Sequence, residues 1–190
     1  MRKPFFPIGL SVDGRTCVVI GAHDDREAIE KAAALRESGA DVRRIEDPQS
    51  LREEDVASAF FVISTPQDAA LSKRLREYAD RHRFLLCCID QPAFGFVAML
   101  AIAKAGPVRV AISTAGLAPR VGKVLKLALQ QAMDSTFVRF VERLAAERER
   151  VRAAHPSPSE SELRRAAAIE TASGFEADVR LKYPDWFRDG

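Results

Sequence analysis

Arg15-Thr16-Cys17-Val18-Val19-Ile20, followed at once by Gly21-Ala22-His23-Asp24-Asp25 and an alanine-rich stretch from Arg26 to Ser38, decides the fold. A short, nearly uninterrupted apolar run reads as a strand buried on both faces. A glycine directly behind it, then a helix-forming stretch, is the opening of a β-α-β unit. Gly39 stops the helix, because a residue without Cβ takes the left-handed closing conformation at no steric cost. Outward from this unit the alternation repeats. Asp41 to Ile45 is a second, weaker strand closing on Glu46-Asp47-Pro48, and Ala59 to Ile63 is a third, ending at Ser64-Thr65-Pro66. A helix from Asp68 to His82 leads to the strand Phe84 to Ile89 with Asp90 at its end, and Val108 to Ile112 is the last strand. Such repetition implies an α/β fold with a doubly wound parallel sheet, whose chemistry sits at the carboxyl ends of the strands.

Beyond Pro119 the pattern becomes purely helical. Val121, Val124, Leu125, Ala128, Leu129, Ala132 and Met133 recur at three- and four-residue steps. Phe137, Phe140, Val141 and Leu144 repeat that spacing after Asp134-Ser135, which reads as a cap. A lone helix cannot bury such a stripe, so it packs on the sheet domain or on a second copy of the chain. Arg148 to Arg152 is a charge run, His155-Pro156-Ser157-Pro158 a linker, and Ser159 with Glu162 the capping-box signature of a last helix. The aromatic tail Tyr183-Pro184-Asp185-Trp186-Phe187 has apolar weight enough to dock on another surface.

Composition narrows the function classes. At 190 residues, with 47% hydrophobic and 29% charged residues, the chain suffices for one packed α/β domain with a helical appendage. A formal net charge of +2 does not indicate a nucleic-acid partner. No segment approaches the roughly 18 apolar residues of a membrane span, and Met1-Arg2-Lys3-Pro4 leads into too short an apolar stretch for a signal peptide. Cys17, Cys87 and Cys88 all lie in apolar strand-like runs and read as buried thiols of a reducing compartment, hence a cytoplasmic protein. No His or Cys spacing matches a structural zinc site, so no metal ligands are expected.

Two stretches carry the candidate chemistry. Asp90 stands at the end of an apolar strand, either as an acid/base group or as a strand-end residue capping the following turn. Ser113-Thr114-Ala115-Gly116-Leu117-Ala118-Pro119 is a small-residue turn before a basic helix, which leaves backbone N–H groups for an anionic ligand.

These residues resemble one family, the dehydrogenase/chelatase module of siroheme synthases, which comprises precorrin-2 dehydrogenases with sirohydrochlorin ferrochelatase activity. The likeness begins at Phe6-Pro7-Ile8, Leu10 and Asp13-Gly14-Arg15. It continues through Glu37 to Val42, Val62 to Thr65, Ile89 to Pro92 and Ala111 to Pro119, spanning about the first 130 residues in unbroken order. The resemblance implies a Rossmann-like fold in which residues 1–112 bind NAD, residues 113–150 dimerise and bind substrate, and residues 151–190 form a helical tail. It implies NAD-dependent removal of a hydride from precorrin-2 to give sirohydrochlorin, with Fe²⁺ as a further substrate where the family makes siroheme. It places the general acid/base at Asp90 and the cofactor on Gly21, Ala22 and His23, on Glu46 or Asp47 for the adenine ribose, and on Ser64 and Thr65. It also implies a homodimer, with the segment after Ile112 crossing between subunits.

A uroporphyrinoid carries many carboxylates, so its pocket needs N–H donors and cations. Ser113, Thr114 and Gly116 are candidates for the first, Arg120 and Lys123 for the second, with Arg109 and Lys104 behind them. Arg120 and Lys123 have an alternative reading as an ordinary solvated helix face.

The chain departs from the family most at the nucleotide loop. Where the family has three successive glycines, only Gly21 survives, and the loop is about two residues longer. Asp24 and Asp25 suit the helix dipole, yet they repel the phosphates that normally use that end. His23 is either a donor to phosphate or a plain loop residue. The chain has no asparagine, Cys87 stands where one often precedes the aspartate, and Ala118 replaces the family's phosphorylatable serine. Three functions therefore compete: an NAD-dependent precorrin-2 dehydrogenase, a tetrapyrrole-binding chelatase without the nucleotide, and a non-catalytic dimeric scaffold.

Overall fold

The computed structural model describes residues 5–188; Met1 to Pro4, the start of the stretch considered above as a leader, lie outside the described residues. Four strands, β1 (Thr16–Ile20), β2 (Asp41–Ile45), β3 (Phe61–Ser64) and β4 (Leu85–Cys88), make one parallel sheet in the order β2-β1-β3-β4. Alternate side chains feed two cores. Cys17, Val19, Phe61, Ile63 and Cys87 pack with Ala28, Ala32 and Leu35 of α1 (Arg26–Glu37). Val18, Ile20, Val62, Leu86 and Cys88 pack with Leu71, Leu75 and Ala79 of α2 (Ala69–His82). The helices thus cover opposite faces, which is why β1 and β3 read as continuous apolar runs.

Local signals fix where the helices begin and end. Asp68 caps α2 by accepting from the amides of Ala70 (2.8 Å) and Leu71 (3.1 Å). At the far end of α1, Gly39 (φ 84°) donates to Arg36 O and Ala40 to Leu35 O, the paired bonds of a Schellman closure. All three cysteines are free and buried. Burial, with Cys88 adjacent, pushes the Cys87 thiol up to about 11, which makes it inert as a nucleophile at neutral pH.

Val108–Ile112 is a strand, but it does not join the parallel sheet. As β6 it pairs with β5 (Ala101–Ala105), a strand that low β-propensity alanines hide in the sequence. Gly106 (φ 52°) and Pro107 connect them, a link too short for any but an antiparallel pair. Burial alternates along β6 as a half-covered hairpin requires, rather than as a central parallel strand does. The Gln130 side chain bonds both Lys104 N and Lys104 O and so occupies backbone groups of β5.

The remaining elements are α3 (Pro119–Ala132), α4 (Ser135–Ala154), α5 (Ser161–Thr171) and the short α6 (Asp185–Arg188). Asp134 caps α4 as the sequence indicates, through the amides of Thr136 and Phe137, both at 2.9 Å. The capping box ahead of α5 lies two residues earlier than read: Ser157 and Glu160 form it around a single 3₁₀ turn, Ser157 N donating to Glu160 at 3.1 Å. Proline at 158 sets the helical φ there, and that moves the start upstream. Phe175 stacks on Phe140, with ring centroids 5.2 Å apart. Chain contacts divide the protein into two compact units, one of residues 1–101 with 113–122 and one of residues 102–112 with 123–190.

Leu75 is completely buried between α2 and the sheet. Leu75→Ala is expected to cost about 2–5 kcal/mol of unfolding free energy, measured by urea denaturation. A loss below about 1 kcal/mol would contradict this packing.

Candidate cofactor site

The parallel register aligns the carboxyl ends of the strands. Ile20 lies opposite Ile45 and Ser64, and Ser64 opposite Cys88. Gly21 to Asp25, Glu46 and Asp47, Thr65 to Gln67, and Ile89 to Asp90 therefore leave one sheet edge together. This edge collects Gly21, Ala22, His23, Glu46, Asp47, Ser64, Thr65 and Asp90, the nucleotide and acid/base candidates of the sequence.

Their environments differ sharply. Asp47 spends its oxygens on its own turn, Oδ1 accepting from Gln49 N at 3.0 Å and its carbonyl from Ser50 at 2.8 Å. Glu46 stays exposed, 3.8 Å from Arg44, and its carboxylate accepts no hydrogen bond among the described residues. His23 is an exposed loop residue, its ring 3.8 Å from Asp24, too far for a hydrogen bond. Ser64 Oγ is fully buried without a hydrogen-bond partner, and Gln91 Oε1, beside Asp90, is another buried orphan. Asp90 is exposed in the turn after β4 at φ 57°, a conformation that aspartate tolerates better than most residues, and Gln67 Nε2 donates to its Oδ2 at 3.2 Å.

The loop after β1 is organised by residues that the sequence did not single out together. Asp25 is the N-cap of α1, one carboxylate oxygen accepting from Glu27 N (2.9 Å) and Ala28 N (3.2 Å). The other accepts from the Thr65 hydroxyl, which also lies 3.1 Å from Ile20 O. One hydroxyl proton serves one acceptor, and the charged one takes it. Arg44 donates to the carbonyls of Gly21 (3.0 Å) and Ala22 (2.6 Å). A Cβ on Gly21 would fall 2.7 Å from Ala28 Cβ and 2.8 Å from Asp25, and closer still to Thr65 Oγ1. The surviving glycine is thus required by the clasp itself. An aspartate followed three residues later by alanine signals only a cap; its link to Thr65, forty positions on, has no local signature.

Ser113, Thr114, Gly116, Arg120 and Lys123 occupy a separate turn and helix. Ala115 (φ 52°) and Gly116 (φ 75°) are successive left-handed residues. Ala115 N donates to Ser113 Oγ at 3.2 Å and Leu117 N to Thr114 O at 2.9 Å, so two amides of the turn, neither of them those of Ser113, Thr114 or Gly116, are used within it. Arg120 and Lys123 are exposed. Among the described residues, no hydrogen bond links this turn to the strand ends of the sheet.

This edge belongs to a recognisable class. Residues 8–101 match the family model described as "Putative NAD(P)-binding". The chain is 25% identical over 166 residues to siroheme synthase of Nitrosococcus oceani, covering 78% of this chain and 35% of that protein. It is 34% identical over 106 residues to precorrin-2 dehydrogenase of Bacillus subtilis, covering 55% of this chain and 65% of that one. A solved structure, SirC, a precorrin-2 dehydrogenase, shares the fold with a TM-score of 0.69 at 18% identity, over 90% of each chain. The chain carries, over residues 8–101, an NAD(P)-binding domain similar to the dehydrogenase module of siroheme synthases. It spans about a third of the siroheme synthases and about two thirds of the dehydrogenase.

The residues present fit a nicotinamide dinucleotide. The orphaned Ser64 Oγ and the exposed Glu46 lie at strand ends, and the amides of Ala22, His23 and Asp24 make no hydrogen bond among the described residues. At the N-terminus of α1, by contrast, the amides of Glu27 and Ala28 are already taken by Asp25.

The Thr65 hydroxyl, joined by the two amides and Arg44, outweighs desolvation and holds the Asp25 carboxyl below the usual carboxylate range. A group depressed on folding gives its full stabilisation above its unfolded pKa, about 3.9, and loses it as pH falls through the folded value. The stability gap between wild type and Asp25→Asn is expected to be level from pH 7 to about 5 and to close below about pH 4. A gap that is unchanged at pH 3 in urea melts would contradict the ionised cap.

Proposed function

We propose that the protein oxidises precorrin-2 to sirohydrochlorin with NAD⁺, a step of siroheme synthesis. The supporting observation is the register of the sheet, which gathers Glu46, the Gly21 loop, Ser64, Thr65 and Asp90 on one edge of an NAD(P)-binding fold. The dinucleotide, when bound, accepts the hydride. Glu46 receives the adenine ribose, and its charge favours NAD⁺ over NADP⁺, whose 2′-phosphate it would repel. The free amides of Ala22, His23 and Asp24 face the pyrophosphate. Ser64 and Thr65 border the nicotinamide half.

Oxidation of the macrocycle releases a proton along with the hydride. Asp90 takes that proton on its carboxylate, held in place by the Gln67 side chain and exposed enough to pass it to water. The same group would accept the pyrrole protons if Fe²⁺ is inserted afterwards as a second substrate. Arg120 and Lys123, exposed on α3 beyond the Ser113–Gly116 turn, meet the substrate's carboxylates. In this reading residues 1–112 hold the cofactor, 113–150 dimerise and bind substrate, and 151–190 form the tail. The three free thiols favour the reducing cytoplasm, and no described helix is long and apolar enough to cross a membrane.

Incubation of the protein with precorrin-2 and NAD⁺ is expected to yield one NADH per sirohydrochlorin, followed by absorbance; sirohydrochlorin without NADH would refute the reading. Asp90→Asn is expected to lower kcat at least 100-fold with an unchanged melting temperature, and full turnover in that variant would remove Asp90 from the chemistry. Val121, Val124 and Leu127 of α3 are more than half exposed in the single chain, which supports a homodimer that covers them. Light scattering at micromolar concentration is expected to give about 42 kDa, twice the 21.0 kDa chain; a monomer would contradict it.

A further inference from the structure

The geometry points to Asp25 as a built-in competitor for the anionic middle of the dinucleotide: its carboxylate holds the N-terminus of α1, and the cofactor gains those amides only when it lets go. The inference rests on the nucleotide-binding reading above and adds the residue that sets the affinity.

A helix N-terminus attracts anions because its first amides lack intrahelical partners and the helix dipole leaves partial positive charge there. In this chain both attractions are spent internally. The amides of Glu27 and Ala28 already bond Asp25, and its negative charge offsets the dipole. The carboxylate is also fixed from the sheet by Thr65, at the exit of β3, so it is not a freely swinging side chain. Arg44, the cation nearest the loop carbonyls, is engaged on Gly21 O and Ala22 O. A pyrophosphate approaching the free amides of Ala22, His23 and Asp24 therefore meets the Asp25 carboxylate, with the exposed Asp24 carboxylate beside it. Two anions cannot share one set of donors, so part of the cofactor's binding free energy goes into displacing Asp25 or into tolerating its charge.

Asparagine and serine both cap helices, so Asp25→Asn and Asp25→Ser keep the fold while removing the charge, and each checks the other should one melt early. Calorimetric titration with NAD⁺ and, as a phosphate-free probe, with adenosine separates the possibilities. Both variants are expected to bind NAD⁺ about tenfold more tightly than wild type, the size of a favourable charge effect at a helix end, and to bind adenosine unchanged. Equal or weaker NAD⁺ affinity in both variants, against a measurable wild-type affinity, would overturn the role of Asp25 and leave the dehydrogenase reading standing. An equal gain for adenosine would overturn it too, since the effect would then not concern the phosphates. No NAD⁺ binding by any of the three proteins at millimolar concentration would sink both the inference and the nucleotide-binding reading.

Discussion

The pairing of β1 with a parallel strand on each side is the constraint on which the rest depends. Ile20 opposite Ile45 and Ser64 fixes how far each chain segment has travelled when it leaves the sheet. Because parallel strands all exit on one edge, residues up to seventy positions apart in the chain, Gly21 and Asp90 among them, arrive at the same place. The pairing is itself over-determined. A slip of one residue would move Val18 and Ile20 from the α2 core into the α1 core and reverse every neighbour. Burial on both faces thus enforces the register, and the register assembles the site.

At that edge the chain shows a compromise between folding and binding. A run of glycines lets a dinucleotide approach but does little for the helix behind it. Aspartate at position 25 caps α1 and ties it to β3 through Thr65, while Arg44 holds the loop carbonyls of Gly21 and Ala22. Stability gained from the Asp25 cap is affinity withheld from a phosphate. Among the described residues, Asp90 has only the bond from Gln67, Glu46 only the loose ion pair with Arg44, and the Ser64 hydroxyl no partner, which leaves them the most open to a ligand.

What the sequence revealed followed from how local the governing interaction is. β1, β3, α1 and α2 are legible because apolar runs, helix-forming stretches and Gly39 act over a few residues. Val108–Ile112 reads correctly as a strand, yet its partner is not written in it; only the Gly106-Pro107 turn and the alternating Val-Arg-Val-Ala-Ile pattern hint at a hairpin. The clustering of Glu46, Ser64 and Asp90 follows once a doubly wound sheet is accepted. The Asp25 and Thr65 clasp does not, since no periodicity or motif connects side chains from two different loops. The sequence presents Asp24 and Asp25 as equivalent charges, whereas the fold leaves one exposed and makes the other the keystone of the loop.

Everything proposed for this protein requires a nicotinamide dinucleotide to bind at the carboxyl edge of the β2-β1-β3-β4 sheet. Mapping the amide resonances of ¹⁵N-labelled protein during titration with NAD⁺ tests it most directly. Shifts are expected to concentrate on Gly21 to Asp25, Glu46 and Asp47, Ser64 and Thr65, and Asp90. Shifts confined to residues 123–190, or none at millimolar NAD⁺, would contradict it.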